Sequence, residues 1–506
     1  MSNFSSKKIN LLLIGVLFMA AVMAGCGKKA HRNLIPVRIP YGWYTSAILA
    51  DSSSGAGAAV FSVSCVEEFV EFAQIVNGTW GGKPARDSFS GKTVTLAAGI
   101  DLSAYDNWVP IGNYAGGDDN VFAGTFDGND KLISNLTIKR TGGSFQGLFG
   151  LVIGGRIENV RLDGVNIYGR DYVGGVAGVV ESGSVANSYS SGSVGGRDYI
   201  GGVAGRVLAG GSVIGSYSIG TVKGRDHIGG VAATLSDGGK ITGSYSTGAI
   251  SGAGRNIGGV AGTVENSSVT NSYSTGTVSG SSASLFVGGV VGRLRNSSNV
   301  ATSYSSGTIS GADRNIGGIA GAVEDNSGVA NSYSAGAVNG VESVGGIAGT
   351  VEGDSRVENS YSGAEVSGTE SVGGVAGYVS SSSVTGCYFA GAVSGEENVG
   401  GVAGSIQGGA LTGSAALGSA VKGTGKNTGR VAGFILGNTV NFSNNGAYAQ
   451  ITNNAGTTEW KNKGEKTMDG ADISAAEINT DGTIGGRFTD ENGWTVEAGK
   501  YPSLRP

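Results

Sequence analysis

Acidic side chains recur at one position of this chain at spacings close to 28 residues or a multiple of it. They are Glu181, Asp237, Glu265, Glu324 and Glu352. Cleavage of a glycan needs a close pair of carboxylates, or a carboxylate cluster that holds a metal ion. Acids spread along a chain in this way form neither arrangement, and His31 and His227 have no evident partner. The sequence therefore predicts no catalytic residue, no metal site and no cofactor.

Arginines form a second recurrent set, placed shortly before a repeated glycine pair. Arg170, Arg197 and Arg225 are each followed by an aspartate, Arg255 and Arg314 are not, and Glu342, Glu370 and Glu397 continue the series. One interpretation is a solvent-exposed edge, where the aspartates offset repulsion between like charges on neighbouring strands. The other is a binding surface for an anionic polysaccharide or a partner protein. The sequence leaves both interpretations open.

The three cysteines differ in their surroundings. Cys387 stands where other repeats have Ser188, Ser216, Ser244 and Ser272, which predicts a small packing residue rather than a nucleophile. Cys65 lies at the start of a helical pattern over about 65–77, in which Ser64 and Glu67 have capping-box spacing. Three cysteines do not make a disulfide framework.

Tyrosine returns about every 28 residues through the middle of the chain. The positions are Tyr189, Tyr217, Tyr245, Tyr273, Tyr304, Tyr333, Tyr361 and Tyr388. A fixed period in this range indicates stacked supersecondary units that share one continuous core. The tyrosines are interpreted as a structural ladder facing opposite to the flanking serines, or alternatively as a platform for sugar rings.

Within each repeat, Val176, Gly178 and Val180 or their equivalents are aliphatic or glycine, whereas the residue before the last of them varies, as Val179 and Arg206 do. This alternation predicts β-strands. Three glycine-rich positions in each repeat predict three corners. One is an Asn/Gly position two residues before each tyrosine, the second is Gly252 and its equivalents seven residues after it, and the third is the glycine pair. The predicted fold is all-β: a right-handed parallel β-helix, three-sided, with about 28 residues per turn and ten or eleven turns.

Composition excludes several classes of protein. The 506 residues include Gly 96 without a Gly-X-Y period, which excludes collagen, and the regular aliphatic columns exclude disorder. Lys+Arg 34 against Asp+Glu 39 leaves a net charge of −5 and no basic patch for nucleic acid.

The N-terminus has the pattern of a secretory signal. Lys7 and Lys8 precede an apolar stretch from Ile9 to Ala24, and the small residues Ala24 and Gly25 precede Cys26. This pattern resembles a bacterial lipobox, which implies cleavage between Gly25 and Cys26, a lipid on Cys26 and a location in the bacterial cell envelope, at the outer membrane or cell surface. We predict a signal peptide over 1–25, a flexible tether over 26–58, an N-terminal cap with one helix over 59–140, the repeats over 141–440 and a C-terminal cap over 441–506.

Several segments resemble GLUG-motif repeat proteins, which are bacterial surface and secreted proteins. They are Gly147-Leu148-Phe149-Gly150, Ile100 to Ser103, Trp108 to Gly112, Phe122 to Asn129, and the closing Trp494 to Leu504. The resemblance covers about residues 60–506 and implies a β-helix-like solenoid with an adhesin-like role, without catalytic residues in the motif itself.

These expectations lead to one principal prediction of function. It is a lipid-anchored cell-surface β-helix that acts in adhesion or binding, without enzymatic activity. Its partners are the membrane, through Cys26, and a polysaccharide or host surface protein. The alternatives are a carbohydrate-active β-helix enzyme, either a polysaccharide lyase or a hydrolase, and a passive structural stalk.

Overall fold

The computed structural model describes residues 43–44, 60–81, 86–115, 118–281, 283–437 and 439–504. They form an all-β parallel solenoid of about 13 turns with about 28 residues in each. Three parallel sheets surround one continuous core, as the three-sided prediction requires. No helix in the described part of the chain is long and apolar enough to cross a membrane. Cys26, Gly25 and the predicted signal peptide lie outside the described residues.

The first sheet has two columns of strands, which meet at a bend. The first column begins after the glycine pair and contains Phe149–Ile153, Ala177–Glu181, Ala204–Leu208, Ala232–Leu235, Ala261–Glu265, Val291–Arg295, Ala320–Val323, Ala348–Glu352, Ala376–Thr385, Ala403–Thr412 and Ala432–Leu436. The second column contains Val60–Val63, Thr93–Leu96, Thr125–Asp127, Arg156–Glu158, Ser184–Ala186, Ser212–Ile214, Lys240–Thr242, Ser268–Thr270, Asn299–Ala301, Gly328–Ala330, Arg356–Glu358 and Asn441–Ser443.

The second sheet holds the tyrosine column and a neighbouring valine column. The tyrosine column contains Ile100–Asp101, Leu132–Ser134, Arg161–Tyr168, Tyr189–Gly195, Tyr217–Ser218, Tyr245–Ser246, Tyr273–Ser274, Tyr304–Ser305, Tyr333–Ser334, Tyr361–Ser362, Tyr388–Phe389, Ala415–Ala416, Gly446–Tyr448 and Ala471–Ile473. The valine column contains Thr137–Lys139, Thr221–Gly224, Ile250–Gly252, Val278–Gly280, Ile309–Ser310, Val338–Asn339, Glu365–Ser367, Ala392–Gly395 and Ala420–Gly423.

The third sheet runs between the second sheet and the glycine pair. It contains Asp171–Gly174, Asp198–Gly201, Asp226–Gly229, Ile257–Gly258, Val287–Gly288, Arg314–Gly317, Glu342–Gly345, Glu370–Gly373, Glu397–Gly400 and Thr428–Gly429. Two short antiparallel pairs lie outside this parallel pattern, Tyr114–Ala115 with Asp118–Asp119 and Trp494–Thr495 with Ser503–Leu504.

The core consists of the aliphatic columns that the sequence predicts. Every residue of the column that begins at Val180 is at most 1% exposed: Val180, Val207, Leu235, Val264, Leu294, Val323, Val351, Val379 and Ile406. Neighbouring turns are in register, so that identical residue types pair along the rod, as Tyr189 does with Tyr217. Each turn therefore buries its apolar face against the turns on either side of it.

The predicted corner before each tyrosine is confirmed by its backbone. Its residues have φ between 46° and 61° at Asn187, Gly215, Gly243, Asn271, Thr302, Asn331, Asn359 and Gly386. This is the left-handed region, which glycine and asparagine reach most cheaply.

The glycines seven residues after each tyrosine do not have the conformation that the sequence analysis predicts. Gly252 and its equivalents lack positive φ, and Gly252 ends the strand Ile250–Gly252. A Cβ built on Gly252 would lie 2.5 Å from Ile257 Cδ1. A side chain at this position would displace Ile257 of the third sheet, so close packing, and not backbone freedom, favours glycine there.

The N-terminal segment joins the rod rather than only covering its end. Strands Val60–Val63, Thr93–Leu96 and Thr125–Asp127 extend the first sheet in parallel register, so the solenoid is longer than the ten or eleven turns predicted. The expected helix is present as α1 (Val66–Val76). Its N-cap is Cys65, and Ser64 Oγ donates to Glu68 Oε2 at 2.8 Å, so the predicted capping box with Glu67 does not form.

An aromatic cluster fills the N-terminal end of the core. Phe61, Phe72, Phe89, Phe122 and Phe126 are fully buried there, with rings in stacked or edge-to-face contact. Tyr44, from a stretch of sequence without a clear pattern, is 4% exposed and stacks on Phe61 with 5.2 Å between ring centroids. The hydroxyl of Tyr44 donates to Asp87, which also binds Lys92.

The C-terminal segment closes the other end and turns back along one side. In the last glycine pair, Arg430 takes the place of the second glycine, and its side chain is fully buried. Its guanidinium group donates to Asp472 Oδ1 at 2.7 Å and to the Gly470 carbonyl at 3.1 Å. Helix α2 (Ala475–Thr480) follows, with a capping box between Ser474 and Glu477, and then a 3₁₀ turn, Asp490–Asn492.

Candidate functional site

The tyrosine ladder is the most regular feature of the outer surface. Ring centroids of successive tyrosines are 4.6–5.1 Å apart, and the ring planes differ by 2–12°. The rings point outward and are half-buried from Tyr189 to Tyr361, whereas Ser188 and Ser190 point inward and are at most 1% exposed. The predicted opposition of tyrosine and serine is therefore present in the structure.

Ring stacking decides what the ladder can bind. A sugar ring packs on the face of an aromatic ring, and here both faces of every ring from Tyr217 to Tyr361 are covered by tyrosines of the neighbouring turns. Only ring edges and hydroxyl groups remain at the surface. This geometry favours the structural interpretation of the ladder over a platform for sugar rings.

The last rungs of the ladder are covered by the chain's own C-terminal segment. Tyr388 is 3% exposed, contacts Phe488 and Trp494 at 5.5 Å and 5.4 Å between ring centroids, and donates its hydroxyl to the Pro502 carbonyl at 2.6 Å. Ala415 replaces tyrosine on the following rung and is fully buried in the same cluster.

Three of the five predicted binding arginines form a ladder with aspartates of the same and the preceding turn. Arg197 lies 3.0 Å from both Asp171 and Asp198, and Arg225 lies 2.6 Å from Asp198. The remaining members of this ladder are Arg170, 3.3 Å from Asp171, and Asp226, 3.1 Å from Arg225. The guanidinium groups are about half exposed, so they cover the less exposed carboxylates.

Arg255 and Arg314 do not belong to this ladder. The backbone N–H of Arg255 donates to Asp226 Oδ1 at 2.7 Å, and Arg314 lies 4.0 Å from Asp313. The predicted surface is therefore continuous over three turns, where each arginine is paired, and interrupted after Arg225.

A second aromatic ladder was not found from the sequence. Phe145, Tyr172, Tyr199 and His227 stack with centroids 5.3, 4.7 and 4.6 Å apart, and all four have positive φ. His227 Nδ1 lies 2.8 Å from Thr263 Oγ1, and burial lowers the pKa of the imidazole. The signal in the sequence is that Tyr172, Tyr199 and His227 each stand two positions before a glycine pair, with one aliphatic residue between them, whereas most later turns have asparagine or serine at this position.

The recurrent carboxylates remain one to a turn. Glu265 lies 3.0 Å from Arg295, and Glu324 lies 2.7 Å from Arg293. Among the described residues, no three His, Cys, Asp or Glu side chains are grouped so that they could hold a metal ion. Cys387 is fully buried, which raises the pKa of its thiol to about 12, so it stays a thiol and packs as the serines of its column do.

A groove of about 300 Å³ lies on the outer face of the valine column toward the C-terminal end. Its walls include Asn339, Glu365, Ser367, Ser394 and Lys422. The small side chains Ala392 and Ala420 form part of its floor. None of these residues was singled out from the sequence, because each occupies an ordinary outward position of its strand.

Comparison with known proteins finds the GLUG motif in one stretch of this chain. Residues 253–279 match the family model described as the GLUG motif. A protein named Halomucin, from Haloquadratum walsbyi (strain DSM 16790 / HBSQ001), is 35% identical to this chain over 127 residues, which are 24% of this chain and 1% of that protein. The chain therefore spans a very small part of that relative's length.

This chain was also compared with a solved structure of a proposed immunoglobulin A1 protease from Bacteroides ovatus. The match extends over 88% of this chain and 92% of the solved chain, at 17% identity and a TM-score of 0.34. At this TM-score the likeness carries no argument about activity. The family match is more informative, because its 27 residues contain one glycine pair and one ladder tyrosine, Tyr273. The chain carries the GLUG motif, and one motif corresponds to one turn of the β-solenoid.

Proposed function

We propose that this protein is a lipid-anchored rod at the bacterial cell surface that acts in adhesion or binding, toward a glycan or the surface of a host or partner protein. The observation that carries the proposal is the repetition of outward polar side chains in register from turn to turn, as in the column that contains Ser251, Ser279 and Ser310. A repetitive surface suits a repetitive partner, because many weak equivalent contacts add up through avidity. The GLUG motif, found here within residues 253–279, supports the same role by resemblance.

A binding experiment on residues 27–506, which omit Cys26 and keep the buried Tyr44, tests this proposal. We expect retention on at least one repetitive glycan of a glycan array, or on immobilised host surface proteins. An internal deletion of one complete turn, residues 253–280, should weaken such binding without abolishing it, because Gly252 and Gly280 are equivalent positions of neighbouring turns. Absence of binding to every glycan and surface protein would favour the passive stalk instead.

The anchor is proposed on Cys26, which follows the apolar stretch and the small pair Ala24-Gly25. Residues 1–25 would be removed as a signal peptide, and the chain after Cys26 would tether the rod to the outer membrane. Cys26→Ser should move the protein from the detergent phase to the aqueous phase, or leave an uncleaved precursor. Cys387→Ser is the matched control, since serine fills that column in other turns. Unchanged detergent partitioning of a Cys26→Ser protein that has been cleaved to its mature size would contradict the anchor.

We further infer that the protein is not an enzyme. General acid–base chemistry on a glycan needs convergent titratable groups, whereas Glu265 and Glu324 lie on separate turns and each is paired with an arginine. Incubation with pectin, alginate or a glycosaminoglycan should give no turnover. Measurable turnover that is lost on replacing one carboxylate would establish the alternative, a polysaccharide lyase or hydrolase.

A further inference from the structure

The groove on the valine column differs from the rest of that face. Along this column, Asn339, Ser367, Ser394 and Lys422 occupy the same register position on four successive turns. Because strands of neighbouring turns lie about 4.8 Å apart, these four side chains line a track of about 14 Å parallel to the rod axis. On the neighbouring outward position, earlier turns have both threonine and alanine, at Thr221, Ala249, Thr277, Thr308 and Ala337, whereas the groove has two successive alanines, Ala392 and Ala420, beside Glu365. Two small side chains on adjacent turns open the space.

The polar groups of the groove have unused hydrogen-bonding capacity. Glu365 and Lys422 are exposed, and neither side chain has a hydrogen-bond or ion-pair partner within the described residues. Ser367 Oγ donates to Asn339 Oδ1 at 2.7 Å, which orients the Asn339 amide and leaves its NH₂ group free to donate. The groove therefore offers donors at Asn339 and Lys422, an acceptor at Glu365 and a hydroxyl at Ser394.

We propose that this groove binds a linear oligosaccharide of about three sugar units lying along the rod axis. The apolar floor of Ala392 and Ala420 accepts the C–H face of a sugar ring, and the rim of amide, hydroxyl, carboxylate and ammonium groups hydrogen-bonds its hydroxyls. A volume of about 300 Å³ falls at the lower end of the range of small-ligand sites. This inference rests on the proposed binding function and places glycan binding at one site on the rod.

The test uses the full chain, detergent-solubilised, on a glycan array, followed by calorimetry with the glycan that gives the strongest signal. Ser394→Trp fills the groove from an exposed position and should weaken binding at least tenfold. Glu365→Gln removes the acceptor charge and should weaken it several-fold. Ser251→Trp is the matched control, because Ser251 occupies the same column three turns before Asn339, outside the groove. Melting temperatures of all variants verify that the rod stays folded.

Three outcomes would overturn the inference, and they separate it from the proposed function. Glycan binding that Ser394→Trp leaves unchanged would place the site elsewhere while the binding function stands. Equal loss in Ser394→Trp and Ser251→Trp would indicate a track distributed along the face. If the protein bound no glycan at all, both this inference and the proposal that the protein binds a glycan would be wrong.

Discussion

The glycine seven residues after each ladder tyrosine packs directly against the third sheet. Gly252→Val would place side-chain atoms where Ile257 now lies, since even a Cβ at Gly252 would be 2.5 Å from Ile257 Cδ1. Overpacking of this kind typically costs about 1–3 kcal/mol. We expect the free energy of unfolding to fall by that amount, as measured by denaturant unfolding.

Gly363 provides the control for this substitution. It has no positive φ, and a Cβ there would be no closer than 4.0 Å to the nearest atom, the Ser334 carbonyl oxygen. Gly363→Ala should therefore leave the stability within about 0.5 kcal/mol of the unsubstituted protein. Equal destabilisation by Gly363→Ala and Gly252→Ala would contradict the steric explanation.

His227 makes the stability of the rod depend on pH. Burial lowers the pKa of the folded imidazole, with Arg255 and Arg295 acting in the same direction and Asp226 and Asp198 opposing them. The unfolded chain has an ordinary histidine pKa of about 6.5. As the pH falls below that value, the unfolded state takes up a proton before the folded state does, so the free energy of unfolding decreases. It is highest above the unfolded pKa.

The measurement is a series of melting temperatures between pH 5 and pH 7.5. His227→Asn is the matched control, because asparagine occupies the same position of the next turn as Asn256, with φ of 62°. The variant should lose the part of the pH dependence that His227 contributes. An identical pH profile in both proteins would exclude His227 as its source.

The tyrosine ladder is an element whose members gain stability from one another. Tyr273 stacks on both neighbours at 4.7 Å, whereas Tyr189, at the start of the ladder, stacks on Tyr217 at 5.0 Å. An aromatic pair contributes about 0.5–1.5 kcal/mol beyond its buried area. We therefore expect Tyr273→Ala to lower the free energy of unfolding by about 1 kcal/mol more than Tyr189→Ala.

Tyr273→Phe separates the ring from its hydroxyl. It keeps both stacked contacts and removes a hydroxyl that has no hydrogen-bond partner within the described residues, so its stability should match the parent protein in denaturant unfolding. Destabilisation by Tyr273→Phe as large as by Tyr273→Ala would show that the hydroxyl, and not the stacking, stabilises this face.

At the scale of the whole molecule, the C-terminal segment protects both the end and one side of the rod. Deletion of residues 441–506 would remove Asp472, the partner of the buried Arg430, and would uncover Tyr388, Ala415 and Leu417, which are at most 3% exposed. Open strand edges and an exposed apolar cluster promote association between chains. We expect aggregates in size-exclusion chromatography with light scattering.

Trp494→Ala is the milder counterpart of this deletion. It removes one ring from the cluster over Tyr388 while keeping Asp472 and the strands that close the end of the core. This variant should remain a soluble species with a lower melting temperature. If the deleted form proved to be a stable soluble monomer, the protective role of residues 441–506 would be ruled out.

The repetitive parts of the fold could be predicted from the sequence. The period, the aliphatic columns from Val176 onward and the helix over 65–77 all follow from patterns that repeat or that depend on nearby residues. The positive φ before each tyrosine follows equally, because only glycine and asparagine reach it at low cost. A conformation that depends on nearby residues, or that recurs in every turn, can therefore be predicted from the residue types.

Only the tertiary structure decided how separate turns and segments meet. The role of Gly252 depends on Ile257 packing across a corner, and the pairing of Arg225 with Asp198 depends on the register between two turns. The cover over Tyr388 and the groove beside Ser394 depend on contacts or differences between distant residues. Side-chain packing in three dimensions sets these contacts, and no spacing within one repeat encodes them.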